Sequence, residues 1–121
     1  MQYLLLIYQS EKGPEMNDPA ALEKMSLDYR AFTDSIVKSG HIRGGDALQR
    51  TSSATTVRVR DGKVLQTDGP FAETKEQLGG YYLVEAKDLD EAVKLAARIP
   101  SAVFGSIEVR PIRPTMANHP R

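Results

Sequence analysis

Two short stretches of this chain carry apolar residues on both faces of a predicted β-strand, from Tyr3 to Tyr8 and from Tyr81 to Ala86. Neighbouring side chains of a strand point to opposite faces of its sheet, so both faces of these two strands need cover. One layer of helices covers only one face. We therefore expect a second copy of the chain to cover the other, in a homodimer whose sheets pack face to face around a cleft.

A long amphipathic helix is predicted after the first strand. Asn17 or Asp18 can cap its start with Pro19 at the first helical position, and Gly40 is a typical helix end. Apolar residues recur at steps of three or four along one stripe: Leu22, Met25, Tyr29, Phe32 and Ile36. This stripe is predicted to face the core.

The end of the chain predicts a second helix and a last strand. Asp88 and Glu91 have the spacing of a capping box, and the helix that they start ends at Pro100. Residues 106–112 alternate between apolar and polar side chains, and Pro111 favours an edge position for that strand.

The predicted elements follow the order strand, helix, hairpin, strand, helix, strand. This order indicates an α+β ferredoxin-like sandwich with an extra β-hairpin, in which two helices cover an antiparallel sheet. The length of 121 residues fits one domain, which we place at residues 1–113, followed by a loose tail over residues 114–121.

Residues 55–67 have the pattern of a β-hairpin with Asp61-Gly62 as its two-residue turn. In that register Asp68 pairs with Thr55. The residues that then share one face of the hairpin are Thr55, Val57, Val59, Val64 and Asp68. Because this face is apolar, we expect it to point inward and to carry Asp68 with it.

The segment after the hairpin begins with a turn and an aromatic residue. Gly69-Pro70 fixes the backbone, and Phe71 is a candidate anchor for the core or the dimer. Residues 74–78 have a capping-box spacing and are predicted to form one helical turn that stops at Gly79.

Composition narrows the range of partners. The 16 basic and 16 acidic residues balance, so no direct nucleic-acid partner is expected. With no cysteine and two histidines, neither a thiolate nor a multi-histidine metal site is expected, and no cofactor motif is present. The apolar start is too short to span a membrane and lacks signal-peptide features, so we expect a cytoplasmic protein without a membrane partner.

Residues 57–86 contain three runs: Arg-Asp-Gly-Lys-Val-Leu, Thr-Asp-Gly-Pro-Phe-Ala-Glu-Thr-Lys-Glu and Gly-Gly-Tyr-Tyr-Leu-Val-Glu-Ala. These runs closely resemble the DGPF branch of the YCII-related proteins, and Tyr-Leu-Leu-Leu-Ile-Tyr and Ile-Glu-Val-Arg-Pro-Ile extend the resemblance to nearly the whole chain. The resemblance implies a dimeric α+β barrel fold, in a group whose members mostly lack an assigned activity. Related superfamily members include monooxygenases and isomerases. DGPF genes often lie beside sigma-factor genes, which implies a functional link to a sigma factor.

In the wider YCII group, a histidine in the first helix and an aspartate further on have been proposed as an acid/base pair. Aligned on Gly40, the histidine position falls at about Tyr29 in this chain. This departure argues against direct transfer of that pair. Asp68 matches the aspartate of the DGPF signature, which need not be the acid of the pair.

Asp68 is the candidate catalytic residue. A carboxylate beside apolar strands can hold a proton near neutral pH, as a general acid or base must. The structural alternative is that Asp68 caps the Gly69-Pro70 turn by accepting backbone N–H bonds. The candidate binding residues are Tyr8, Arg58, Phe71, Glu73, Tyr81 and Arg110.

Two functions fit these residues. The first is a homodimeric small-ligand-binding or interaction module with a cleft near Asp68. The second is a cofactor-independent small-molecule enzyme of isomerase, hydrolase or oxygenase type, with Asp68 as general acid or base. The enzyme predicts a closed pocket that contains Asp68, whereas the binding module predicts a mainly structural Asp68 and a pocket at the motif that is absent or filled by side chains.

Overall fold

The computed structural model describes residues 1–114, which form an α+β fold. The elements in chain order are β1 Gln2–Gln9, α1 Pro14–Asn17, α2 Pro19–Lys38, β2 Ile42–Ala47, β3 Thr55–Arg60, β4 Lys63–Asp68, β5 Gln77–Glu85, α3 Leu89–Ala97 and β6 Ser106–Pro111. Four strands make an antiparallel sheet in the order β2-β5-β1-β6, and β3 and β4 form a separate hairpin. This order, with α2 and α3 as the crossovers, confirms the ferredoxin-like prediction, and β6 with its Pro111 lies at an edge as expected.

Both long helices begin at the predicted caps. The Asp18 carboxylate accepts a hydrogen bond from the Ala21 amide at 3.1 Å, and Asp88 accepts one from the Glu91 amide at 2.9 Å. Gly40 follows α2 with a φ of +81°, a left-handed conformation that glycine adopts without strain. The helix boundaries were therefore readable from the sequence.

One face of the sheet carries the hydrophobic core. Leu5 of β1 and Val84 of β5 are fully buried beneath Ile36 of α2. Phe32 and Tyr82 pack edge to face with ring centroids 5.2 Å apart. The two helices thus cover the face that the alternation of β1 and β5 assigns to them.

The opposite face of the sheet is only partly buried. Its apolar residues, which alternate with the core residues along the two central strands, are Leu4, Leu6, Tyr8, Tyr81 and Leu83. Among residues 1–114, the buried residues of both long helices all belong to the core on the other side. We call this second side the uncovered face.

The hairpin has the predicted register. Thr55 pairs with Asp68, Val59 pairs with Val64, and Asp61 and Gly62 have φ values of 52° and 74°, as a two-residue turn of this kind requires. The expectation that the valine face points inward is wrong for the single chain. Val57, Val59 and Val64 are 56%, 58% and 68% exposed, because the hairpin stands apart from the main sheet.

Residues 74–78 do not form the predicted helical turn. Strand β5 starts at Gln77 and continues through Gly79 and Gly80, where the helix was expected to stop. The Gln77 side chain donates a hydrogen bond to the Thr74 carbonyl at 2.5 Å. The capping-box spacing therefore closes a turn before a strand, since pairing with β1 and β2 outweighs one local hydrogen bond.

The predicted loose tail falls almost entirely on residues 115–121, which lie outside the described part of the chain. Within residues 1–114, no helix is both long enough and apolar enough to cross a membrane.

Candidate functional site

The Gly69-Pro70 turn is held by backbone groups and by a threonine. Gly69 has a φ of +100°, and its amide donates to the Ala54 carbonyl at 2.7 Å. Its carbonyl accepts a hydrogen bond from Thr56 Oγ1 at 2.9 Å. Within residues 1–114, the exposed Asp68 carboxylate neither accepts a hydrogen bond nor pairs with a cation, so the turn forms without the predicted aspartate cap.

Phe71 lies on the surface of the chain beside the hairpin. Its side chain is 79% exposed, and the Arg58 guanidinium carbon lies 5.5 Å from the centre of its ring. This distance allows a cation–π contact. The contact ties the face of the hairpin that bears Arg58 to the loop after the turn.

A groove of about 790 Å³ opens beside this loop. We call it the motif groove, and its wall contains apolar residues from β1, β5, the motif and the segment after β2: Tyr8, Leu48, Pro70, Phe71 and Leu78. Its polar lining includes Thr51, Ser53 and Arg50, and among residues 1–114 Arg50 is the one charged residue in the lining. Its size and apolar character are those of a small-molecule site.

Hydrogen bonds fix one wall of the motif groove. Glu11, in the loop after β1, accepts from the Thr51 amide at 2.9 Å and from Thr51 Oγ1 at 2.7 Å. Arg50 donates to the Glu11 carbonyl at 3.1 Å and also contacts the Met16 carbonyl. The segment before the hairpin is thereby held against the end of β1, which preorganises this side of the groove.

The remaining predicted site residues lie outside the motif groove. Glu73 is an exposed residue of the loop before β5. Tyr81 lies on the uncovered face, where its hydroxyl donates to Asp46 at 2.8 Å. Arg110 pairs in register with Leu4 and contacts the Glu108 carboxylate. Of the predicted residues, Tyr8 and Phe71 therefore line the motif groove, and Arg58 contacts Phe71 without lining it.

A second cavity, of about 410 Å³, lies between α2 and the sheet, and we call it the helix-side cavity. Gly45 pairs with Tyr82, and Gly80 pairs with Ala47, so these small residues occupy the face of the sheet that looks towards α2. A Cβ atom on Gly45 would lie 2.8 Å from the Tyr81 carbonyl oxygen. The close approach of β2 and β5 therefore leaves no room for a side chain at Gly45.

Hydroxyl groups connect the walls of the helix-side cavity. Tyr29 and Ser101 hydroxyls are 2.6 Å apart, and Ser101 donates to Gln9 at 2.7 Å. Thr33 and Tyr82 hydroxyls are also 2.6 Å apart. Burial raises the pKa of the Tyr29 and Tyr82 hydroxyls above the ordinary 10.0.

Sequence reasoning missed the helix-side cavity. It assigned Tyr29 to the core stripe and read Gly79 as a helix stop. The available signal was the pair of glycine doublets, 44–45 and 79–80, because glycine inside a strand often marks a close backbone approach.

Within residues 1–114, no group of three or more histidine, cysteine, aspartate or glutamate residues is arranged to hold a metal ion.

The topology and the motif loop define a small ferredoxin-like α+β protein with an inserted hairpin. The chain belongs to the YCII-related family, since the profile of the YCII-related domain matches residues 1–116. It is also 37% identical over 114 residues to an uncharacterized protein of Rhizobium meliloti (strain 1021), an alignment that covers 93% of this chain and 92% of the relative. These similarities confirm the predicted family.

Proposed function

We propose that this protein is a homodimeric small-molecule-binding protein whose ligand occupies the motif groove, in a cleft that the second subunit helps to close. The motif groove itself carries the proposal, because it combines an apolar wall of suitable volume with one fixed cation, Arg50. A small ligand with an apolar body and an anionic or hydrogen-bond-accepting group fits this lining.

The uncovered face supports the homodimer. Leu4, Leu6 and Leu83 form an apolar stripe across the two central strands, and the helices of the same chain pack on the other side. A two-fold axis lets one such surface cover its own copy. Because β2 and β6 are the edge strands, the stripe lies at the centre of the sheet. A protein interface buries its apolar residues at its centre, so this position suits a dimer interface.

The alternative function is an enzyme with Asp68 as general acid or base, but Asp68 lines neither the motif groove nor the helix-side cavity. Asp68 is exposed at the end of β4 and is not part of the groove lining. A general acid or base must come within hydrogen-bond reach of its substrate. The geometry of the chain therefore favours binding over proton transfer by Asp68.

The homodimer is tested by light scattering at micromolar concentration. We expect the mass of two chains for the natural protein and of one chain for Leu6→Glu, because a carboxylate in the stripe would be buried without a partner. Val103→Glu is the control, since Val103 is 87% exposed and lies before β6, away from the uncovered face. A single-chain mass for the natural protein would refute the homodimer.

Ligand binding is tested with the fluorescent anion anilinonaphthalene sulfonate as the probe. Ala54→Trp places a large ring in the wall of the motif groove and is expected to weaken probe binding at least tenfold. Ala20→Trp, on the exposed side of α2, is the control. Equal probe binding by both variants would refute the groove as the site.

Four further expectations stay predictions of the sequence. These are a cytoplasmic location, the absence of a direct nucleic-acid partner, the absence of a cofactor and a functional link to a sigma factor. Co-purification of a tagged chain with a sigma factor from its own cells would test the last of them.

A further inference from the structure

The hairpin is a two-stranded arm that stands apart from the main sheet. Strands β3 and β4 have six residues each, so the arm is about 20 Å long. The two strands pair only with each other. Two strands without a covered apolar face are marginally stable in water, so such an arm normally packs against another surface.

The two faces of the arm differ in chemistry and in orientation. One face turns towards its own chain, because Arg58 lies over Phe71 and Thr56 donates to the Gly69 carbonyl. The opposite face, which we call the valine face, consists of Thr55, Val57, Val59, Val64, Gln66 and Asp68. The valine face must therefore turn away from the chain that carries it.

We propose that the valine face of each arm packs on the second subunit and closes the motif groove of that subunit. This inference rests on the proposed homodimer and its groove, and it names what the second copy contributes. An arm cannot close its own groove with the valine face, because Arg58 and Thr56 fix the other face towards the motif loop.

Two properties of the surfaces favour a second copy as the occupant. The valine face carries three exposed valines, the wall of the motif groove is mainly apolar, and both surfaces are open in the single chain. Their charges are also complementary: Asp68 is the one charged residue of the valine face, and Arg50 is the one charged residue of the groove lining within the described part of the chain. A two-fold dimer forms both contacts at once, so no arm is left uncovered.

Mixed dimers test which subunit's arm closes a groove. One subunit carries Val59→Glu in the arm, the other carries Ala54→Trp in the groove, and two different affinity tags isolate the mixed dimer. If the arm acts on the partner, the subunit with the intact groove receives an intact arm. We expect about half of the natural signal from anilinonaphthalene sulfonate, and almost none from either variant alone.

The reverse combination is the matched control. A natural subunit paired with one that carries both changes has no intact site if arms act on the partner, so its signal should be almost absent. An arm that closes its own groove predicts the opposite pattern, with half of the signal in this dimer and none in the first. That opposite pattern would overturn the proposal.

Cross-linking keeps the proposal testable if Val59→Glu prevents dimer formation. The chain contains no cysteine, so Val59→Cys in one subunit and Ala54→Cys in the other are the only thiols. A short bismaleimide should join the two chains, whereas Val103→Cys in place of Val59→Cys should give no product. A stable dimer that binds the probe but gives no such cross-link would overturn the arm contact and leave the proposed homodimer standing. A monomeric natural protein would overturn both.

Discussion

The helix-side cavity and the motif groove lie on opposite sides of the same sheet, and Leu48 lines both. The helix-side cavity has walls whose polar groups already bind each other, such as Thr33 with Tyr82. The motif groove has an exposed aromatic ring, Phe71, and a fixed cation, Arg50. The polar groups of the first cavity are thus paired within the fold, whereas the motif groove leaves an aromatic ring and a cation exposed.

The largest effect is expected from a side chain at Gly45, where β2 and β5 approach closely beside the helix-side cavity. A Cβ atom at Gly45 would lie 2.8 Å from the Tyr81 carbonyl oxygen and 2.9 Å from Tyr82 Cδ1. Gly45→Ala should lower the free energy of unfolding by about 2–3 kcal/mol, because overpacking forces the backbone to move. Urea denaturation measures the change, and Gly44→Ala is the control because its nearest atom is Leu83 Cβ at 3.9 Å. Equal stability of the two variants would contradict the close approach of β2 and β5.

The next effect concerns the hydroxyl network of the same cavity. Ser101 is fully buried between Tyr29 and Gln9. Ser101→Ala should lower the free energy of unfolding by about 1–2 kcal/mol, since it leaves buried polar groups without partners. Ser53→Ala, which removes an exposed hydroxyl bound to Gln49, should cost less than about 0.5 kcal/mol in the same denaturation experiment. If both variants unfolded at the same urea concentration, the buried hydrogen bonds of Ser101 would contribute no more to stability than the exposed one of Ser53.

Alkaline pH provides a third test of the helix-side cavity. Burial raises the pKa of Tyr29 and Tyr82 above the ordinary 10.0. The unfolded chain then loses these protons first, so their contribution to stability is complete below pH 10 and falls as the pH rises towards the raised values. Urea denaturation at pH 9, 10 and 11 should show this loss, and a variant with phenylalanine at both positions should show a flatter dependence. If the free energy of unfolding of the natural protein stays constant from pH 9 to pH 11, the two buried tyrosines do not make stability depend on pH in this way.

The motif groove should separate stability from binding. Phe71→Ala removes a side chain that is 79% exposed, so it should change the free energy of unfolding of the single chain by less than about 0.5 kcal/mol. It should nevertheless weaken binding of anilinonaphthalene sulfonate, because Phe71 lines the groove. Leu65→Ala, an exposed apolar residue of β4 outside the lining, serves as the control in both measurements. Loss of stability without loss of probe binding would assign Phe71 to the fold instead of the site.

The smallest effect is expected from Asp68→Asn. Its carboxylate is exposed and takes part in no hydrogen bond within residues 1–114, so we expect a change below about 0.5 kcal/mol in the single chain. A monomeric background such as Leu6→Glu isolates this value from any dimer contact. A large loss of stability in that background would show that Asp68 caps the turn. If the natural protein turns over a substrate and Asp68→Asn does not, Asp68 is a catalytic residue.

Prediction from sequence was strongest where local chemistry decides the structure. Asp18, Asp88 and the Asp61-Gly62 turn each satisfy a local backbone requirement, and all three lie where the sequence placed them. The prediction failed at residues 74–78, where sheet pairing overrides a helical spacing. It also failed for the valine face, because alternation identifies an apolar face but does not tell which surface covers it.

The sequence by itself determined the family, through the resemblance of its motif runs. It also determined the order of the main elements and the register of the hairpin, because these follow from local propensities and from side-chain alternation. Only the tertiary structure decided that Gly45 and Gly80 line a cavity beneath α2, that Tyr8 and Phe71 share a groove, and that Asp68 lies outside it. Those relations join residues far apart in the chain. They depend on how strands, helix and loops pack in space, which no local pattern encodes.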